Sequence, residues 1–435
     1  MSRTLADVVG GARRIIGGPF GSKLTTKDYA ASGIPVIRGS NMEVDGRWIG
    51  GEFAYVPRFK YERDLSSNAA RAGNIIVTQR GTLGQVSIIP DDSMFAEYVV
   101  SQSQMAIDVD PKSADRDFVY YYLRSPTFVE HSHMQTIQTG VPHINLGVLR
   151  DAPADFPPLA KQREIAATLG ALDDRIELNR KTAATLEEMA RALYRSWFVD
   201  FDPVRARAEG RAPAHMDPAT AALFPDSFGE DGLPVGWKAG TLNDLAILNP
   251  TAHSKKKHPQ RIEYIDLANT KWGRIEATTE YDWDAAPSRA KMVLNVGDTI
   301  VGTVRPGNGS YSYIGRNGLT GSTGFAVLRP RRSMDAALVY AASTDPEAIN
   351  DLANLADGGA YPAVRPDVVA ARPVCIAPEN IRRCYSEIAT PFIDRIEAMK
   401  LESNTLAALR DALLPRLMSG ELRVGAAREM LEEVA

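Results

Sequence analysis

Cysteine is nearly absent: Cys375 and Cys384 are the only two among 435 residues. Two thiols supply neither a disulfide framework nor a cysteine-rich zinc site, so a reducing cytoplasm is the expected setting. Long apolar runs are missing too. None approaches the roughly 18 residues of a membrane span, and no signal-peptide core is read at the N-terminus. A surplus of positive charge is also lacking. Lys and Arg number 50 against 54 Asp and Glu, a net charge of −4. A chain that binds nucleic acid usually shows a basic footprint. The acidic excess is local, however. Residues 201–236 hold 3 basic and 6 acidic side chains, whereas 237–378 hold 16 and 14. Residues 1–157 are nearly balanced at 16 and 17. The remainder is ordinary globular material, with 44% hydrophobic and 24% charged residues, which excludes a wholly disordered chain.

Catalytic signatures are the next absence. Gly17-Gly18-Pro19-Phe20-Gly21-Ser22-Lys23 looks like a phosphate loop, but its lysine does not directly follow the final glycine and no clean strand is read before it. No HExxH is found, and His131 and His133 have no cysteine neighbours. Neither a GxSxG elbow nor a GxGxxG after a strand occurs. The glycine-rich S-adenosylmethionine loop with an Asn/Asp-Pro-Pro-aromatic tetrapeptide is missing as well. Asp173-Asp174 and Glu187-Glu188 are expected on solvated helix surfaces. No catalytic, cofactor-binding or metal-ligating residue is assigned, and a self-contained nuclease or methyltransferase is not expected.

What is present is a duplication. DRIE stands at 174–177 and again at 394–397, a displacement of 220. The same displacement carries Val119-Tyr120 onto Val339-Tyr340, Pro126 onto Pro346, Pro142 onto Pro362, Pro158 onto Pro378, and Leu193 onto Leu413. Upstream it drifts: Gly73 matches Gly297 at 224 and Asn41 matches Asn269 at 228. Length changes of this kind fall in surface loops.

The back of each copy reads as a long helix. Apolar or small residues recur at Leu172, Ile176, Ala183, Leu186, Ala190, Leu193 and Trp197, an a/d seam interrupted by Asn179, a buried polar candidate that would fix register. The second copy offers Phe392, Ile396, Met399, Leu406, Leu409, Leu413 and Leu417. Two equivalent seams in one chain point to mutual pairing. Gly170 and Pro391 mark expected starts or kinks, Pro415 a bend, and Gly420 a stop. The fronts of the copies carry short β-branched runs, such as Ile75-Ile76-Val77, Val86-Ser87-Ile88-Ile89 and Thr299-Ile300-Val301, which read as strands of mixed domains. Residues 201–236, rich in Pro, Ala, Gly and Asp, read as a linker.

Polar loops are the remaining chemistry. The first copy has Ser22 and Lys23, then Arg38, Ser40 and Asn41, then Gln79, Arg80 and Thr82, and finally His143. The second has Lys255, Lys256 and Lys257, then Asn269 and Lys271, then Arg305, Asn308 and Ser310, and finally Tyr361 and Arg365. Arg suits guanine O6/N7 and Asn or Gln suits adenine N6/N7, while hydroxyls and Lys reach phosphates. Solvated turns are the plain alternative for each residue taken singly.

Longer strings resemble a known family. Gly18-Pro19-Phe20-Gly21-Ser22-Lys23 with Gly33-Ile34-Pro35-Val36-Ile37-Arg38-Gly39 is similar to the start of the first recognition domain in specificity subunits of Type I restriction–modification systems. Pro158 to Ala166, then Trp197-Phe198-Val199-Asp200-Phe201, resemble that family's central conserved region. Leu233-Pro234-Val235-Gly236-Trp237 looks like the opening of its second recognition domain, and Leu413 to Glu421 like its closing signature. Glu379-Asn380-Ile381-Arg382 departs from Leu159-Ala160-Lys161-Gln162 at the matching place.

The resemblance implies an α+β architecture: two mixed α/β target-recognition domains in pseudo-twofold tandem repeat, separated by two long antiparallel coiled-coil helices. The boundaries read are 1–157 and 237–378 for the recognition domains, 158–200 and 379–422 for the helical spacers, 201–236 for the linker and 423–435 for a tail. Leu172, Ile176, Asn179, Leu186, Leu193, Trp197 and Phe198, with Ile396, Leu406, Leu413 and Leu417, are assigned to the spacer. By the same resemblance, each recognition domain reads one half of a split double-stranded DNA site. The helices dock two methyltransferase subunits, which bring S-adenosylmethionine. Restriction subunits, where present, bring ATP and Mg2+. The 26 residues from Leu172 to Trp197 would span about 39 Å, close to the roughly 34–36 Å between half-sites on one DNA face. A scaffold or a methylation-only system without the restriction subunit is the alternative.

Overall fold

Leu159–Phe198 and Glu379–Met418 each form one helix of 40 residues, displaced by 220 at both ends. Each begins directly after a proline, Pro158 or Pro378, where a fixed φ and a missing N–H suit a helix start. Neither begins at Gly170 or Pro391, as had been expected. The second helix runs through Pro391 without the hydrogen bond that residue cannot donate, and it also passes Pro415 before Gly420, at φ +77°, stops it. The computed structural model describes residues 3–42, 46–81, 84–135, 143–359 and 361–432.

The chain divides into two compact units, Met1–Leu178 with Glu402–Ala435, and Asn179–Leu401. Both divisions fall inside the long helices, so neither unit follows the sequential boundaries read from the sequence. In the first unit, strands Ile15–Gly17, Gln104–Ile107, Ile75–Thr78 and Val86–Ile88 form one sheet in that order. Ala54–Val56, Ile34–Ile37, Tyr98–Val100 and Ala69–Ala70 form a second, whose central pair is parallel. The second unit repeats both orders. Ala246–Leu248, Phe325–Pro330, Thr299–Gly302 and Tyr311–Tyr313 make one sheet; Thr279–Asp282, Arg261–Ile265, Leu319–Ser322 and Ala290–Leu294 make the other, again with a parallel central pair. Helices Arg116–Arg124 and Pro126–Met134 recur as Ala336–Thr344 and Pro346–Asn354. The duplication is therefore a duplication of topology.

Each unit's core joins its sheet and helices to segments of both long helices. In the first, Ile165, Leu169 and Leu172 share a core with Leu413, Leu417, Phe118 and Tyr121. The helices run antiparallel here: Asp173 meets Arg410 at 2.8 Å and Arg175 meets Glu402 at 2.7 Å. In the second, Trp197 and Phe198 pack with Tyr385, Ala389, Ile393 and Tyr340. Of the assigned spacer residues, Leu172, Ile176, Asn179, Trp197, Phe198, Ile396, Leu413 and Leu417 are buried, and Leu186, Leu193 and Leu406 are half-buried.

Three expectations are corrected. Residues 201–236 are no loose linker, because Asp202–Ala208 is helical and Val204 and Phe224 enter the second unit's core. The tail forms a helix, Val424–Glu432, which buries Val424 and Ala427 in the first unit's core. Asp173 is not on a solvated surface but buried, and Glu187 is half-buried and bonded; Arg410 and Tyr340, the partners that draw them inward, are distant in sequence, so helical periodicity alone places them outside.

Candidate nucleic-acid interface

Strand register gathers the polar loops of the first unit at one sheet edge. Gly17 pairs with Met105 and Thr78 with Gln104, so the chain leaves three strands side by side at residues 18, 79 and 103. The parallel pairing of Val36-Ile37 with Val99-Val100 brings Arg38 and Ser101 to the same edge. Main-chain bonds then tie the loops. Gln79 N–H donates to Ser103 O at 2.8 Å, Ile144 N–H to Gln79 O at 3.0 Å, and Arg80 bridges His143. The side chain of Gln102 donates to Gly21 O at 2.6 Å and Leu24 O at 2.9 Å, fixing the short turn that presents Ser22 and Lys23. Lys23, Ser22, Ser40 and Arg80 are exposed and Arg38 is half-buried.

The second unit builds the same junction from different side chains. Thr303 N–H donates to Gly324 O at 2.8 Å, Val364 N–H donates to Thr303 O at 2.8 Å, and Val304 bridges Ala363. By this pattern Val304 stands where Arg80 does, and Arg305 is one step further along its loop. Arg305 and Trp272 both hold left-handed backbone, at φ +48° and +47°, an uncommon state for bulky residues that needs a well-determined surrounding. Arg305 lies over the Tyr361 ring at 4.5 Å. The main-chain N–H of Trp272 donates to Gly309 O at 2.6 Å and its ring stands edge-on to Tyr311, yet the residue is 55% exposed. A methyl group on Gly309 would sit 2.5 Å from that indole, so only glycine lets the ring lie there. Trp272, Tyr361, Lys271, Arg305, Asn308 and Arg365 thus form a cationic and aromatic face suited to phosphates and base or sugar surfaces.

A family profile, the Type I restriction modification DNA specificity domain, matches residues 25–188. Over 416 residues the chain is 24% identical to the Type I restriction enzyme HindI specificity subunit of Haemophilus influenzae, covering 83% of this chain and 89% of that one. It is 21% identical over 424 residues to the MjaIX specificity subunit of Methanocaldococcus jannaschii, covering 92% and 89%. Over most of its length the chain is similar to the specificity subunits of Type I restriction–modification systems. The crystal structure of such an S subunit from M. genitalium shares the fold, with a TM-score of 0.51, 16% identity and 93% coverage of both chains.

Not every candidate in this chain faces outward. Asn41 is buried, donating to Gly50 O and Glu52 O at 3.0 and 2.9 Å and accepting from Arg38 N–H. Ser310 is buried and donates to Leu267 O at 3.1 Å. Both side chains are committed to the main chain of their own and neighbouring loops. Gln79 donates to Gln102 O at 2.9 Å, and Asn269 to Asp266 Oδ1 at 3.1 Å, so their amides are partly committed. Arg365 pairs with Asp367. Lys255, Lys256 and Lys257 are exposed on a turn closed by Ser254 and Lys257, ahead of strand Arg261–Ile265, whereas the loop carrying Lys271 follows that strand. Beside them His258 stacks on Trp283 at 4.4 Å. Burial, then His258, lowers the His253 pKa. Thr82 lies outside the described residues. The phosphate-loop comparison is adjusted as well: a strand, Ile15–Gly17, does precede it, but only a 3-10 turn, Gly21–Lys23, follows.

Sequence reasoning missed Gln102 and the constraint at Gly18, and it named Trp272 only within the loop string Asn269-Thr270-Lys271-Trp272. A methyl group on Gly18 would lie 1.9 Å from Ser101 O, a main-chain atom that cannot swing away. Gly18→Ala should therefore push the 18–24 loop off the 101–104 turn, at a cost of roughly 1–3 kcal/mol. Urea denaturation measures the loss, and the methylated motif of cells carrying the variant should blur on one side only.

Proposed function

We propose that the loop face of each unit reads one half of a bipartite DNA target. The carrying observation is that one main-chain junction, Gln79–Ser103–Ile144 in the first unit and Thr303–Gly324–Val364 in the second, presents different side chains in each, as two half-sites of different sequence require. The long helices are the proposed docking surface for two methyltransferase subunits, which would bring S-adenosylmethionine to adenine; restriction subunits with ATP and Mg2+ complete the proposed assembly. No cofactor is assigned to this chain. Because the recognition regions are nearly neutral in formal charge, the methyltransferase subunits are expected to share the phosphate contacts and their salt dependence.

Single-molecule sequencing of methylated DNA, with and without this gene, tests the reading. A bipartite motif should vanish on deletion, and an unchanged methylome would reject it in favour of a scaffold. Arg80→Ala and Arg305→Ala separate the halves: each should cost about 1–3 kcal/mol of discrimination, about fivefold to 150-fold, at one half-site. Equal relaxation of both half-sites by either variant would reject the modular assignment.

A further inference from the structure

The two units repeat in topology, but their buried polar contacts do not repeat. In the first unit Arg410 is the largest fully buried side chain. Its Nη1 donates to Asp173 Oδ1 at 2.8 Å, and Tyr121 Oη donates to Asp173 Oδ2 at 2.6 Å, linking both long helices to helix Arg116–Arg124. At the 220 displacement these three positions are Ala190, Ile393 and Ala341, all buried and apolar. The second unit has a lock of its own. Tyr340 Oη donates to Glu187 Oε1 at 2.9 Å, and Arg191 Nη2 donates to Glu187 Oε1 and Tyr311 Oη, both at 2.7 Å. Its counterparts are Tyr120, Ala407 and Asp411, and Tyr311 matches Ser87 at 224. Neither lock has its pair in the other unit.

The apolar seams cannot supply this distinction. Leu172, Ile176, Leu193 and Trp197 in one helix and Phe392, Ile396, Leu413 and Leu417 in the other are interchangeable by hydrophobicity. Like helices could therefore pair across two chains. Buried charge is what discriminates in such a rod. Were two copies of the first long helix to pair, each Asp173 would meet Ala190 of the second copy and have no cation; were two second helices to pair, each Arg410 would meet Ile393 and keep only Asp411, its neighbour on the same helix. A buried charge without its partner is strongly unfavourable, whereas a well-packed apolar trio would hold the native unit as well as the ionic one. We propose that the two non-equivalent locks form a pairing code, which makes the first long helix accept only the second and reject a second copy of this chain. The titration behaviour agrees: burial opposes the Arg410 charge, but Asp173 and Asp411 outweigh it and raise its pKa.

Interchain crosslinking of the full chain tests the code. In the native pairing Arg175 meets Glu402, and the 220-equivalent of Glu402 is Thr182. Cysteines introduced by Arg175→Cys and Thr182→Cys should join two chains only if like helices pair. After unfolding and refolding, the chain with the native lock should show little dimer linked through these cysteines. The same chain with Tyr121→Phe, Asp173→Ile and Arg410→Met should melt cooperatively near the parent temperature and give at least about tenfold more, the ratio set by about 1.4 kcal/mol of discrimination. Glu187→Leu with Arg191→Leu, which unlocks the second unit alone, should raise it too. Equal crosslinking in locked and unlocked chains would overturn the proposal, as would none in any of them. Loss of cooperative melting in the triple variant would overturn it as well, since the lock would then be a stability element.

Discussion

Arg410→Ala should destabilise the first unit by about 3–5 kcal/mol, because it leaves the Asp173 carboxylate buried without its cation. Asp173 would keep only the Tyr121 hydroxyl, at 2.6 Å, and Leu413 and Leu417 on the same helix would lose the register that seats them. Asp173→Ala with Arg410→Ala should cost clearly less than the sum of the two single changes, since no stranded charge remains. Urea denaturation of the four proteins in a double-mutant cycle measures this coupling, and strict additivity would show that the pair is not coupled. The defect should also be one-sided in DNA reading. Its contacts lie within the first unit, so the methylated motif should lose definition at the half-site that Arg80→Ala affects and keep the other.

The sequence made the repeat legible because the displaced elements are rigid. Both 40-residue helices, and the helix pairs starting at Arg116 and Ala336, hold the 220 displacement to the residue, since a helix inserted or shortened by one position turns its apolar stripe by about 100°. The strands were legible as short β-branched runs, and the drift to 224 at Thr299–Gly302 left them intact because the length changes sit in connections. Burial of charge was not legible. Asp173 faces Arg410, 237 positions away, and a carboxylate on a helix reads as solvated unless its distant partner is known. The same reason hid the packing of residues 201–236, where Phe224 closes on Trp197 at 4.9 Å.

The loops divide similarly. Arg80, Lys271, Arg305 and Tyr361 were recognisable by residue type, and they are exposed on the two faces. Asn41 and Ser310 are of equally suitable type, yet main-chain carbonyls from other loops claim them. Composition cannot separate the two classes, because short polar side chains serve a turn and a base edge with the same atoms. Trp272 is the converse: an aromatic residue reads as core, and only the close approach of Gly309 and the left-handed backbone hold its ring at the surface.

Trp197→Ala should be the mirror of Arg410→Ala, acting on the second unit. Trp197 is 3% exposed and lies 4.9 Å from Phe224 and 6.1 Å from Tyr385, ring centre to ring centre. Phe198, 5.7 Å from Trp237, extends the cluster to the segment that opens the second recognition region. Removing the indole takes out a large buried area and leaves a cavity between rings fixed by several elements, for which about 3–5 kcal/mol is expected. Trp197→Phe, which keeps an aromatic ring in the cluster, should recover much of that. Denaturation monitored by the remaining tryptophans should show an early transition in the alanine variant. Below that transition, the half-site sensitive to Arg305→Ala should be the one that fails, with the other still methylated in register. If the half-site sensitive to Arg80→Ala failed first instead, the packing of the Trp197 cluster would not be what supports the Arg305 face.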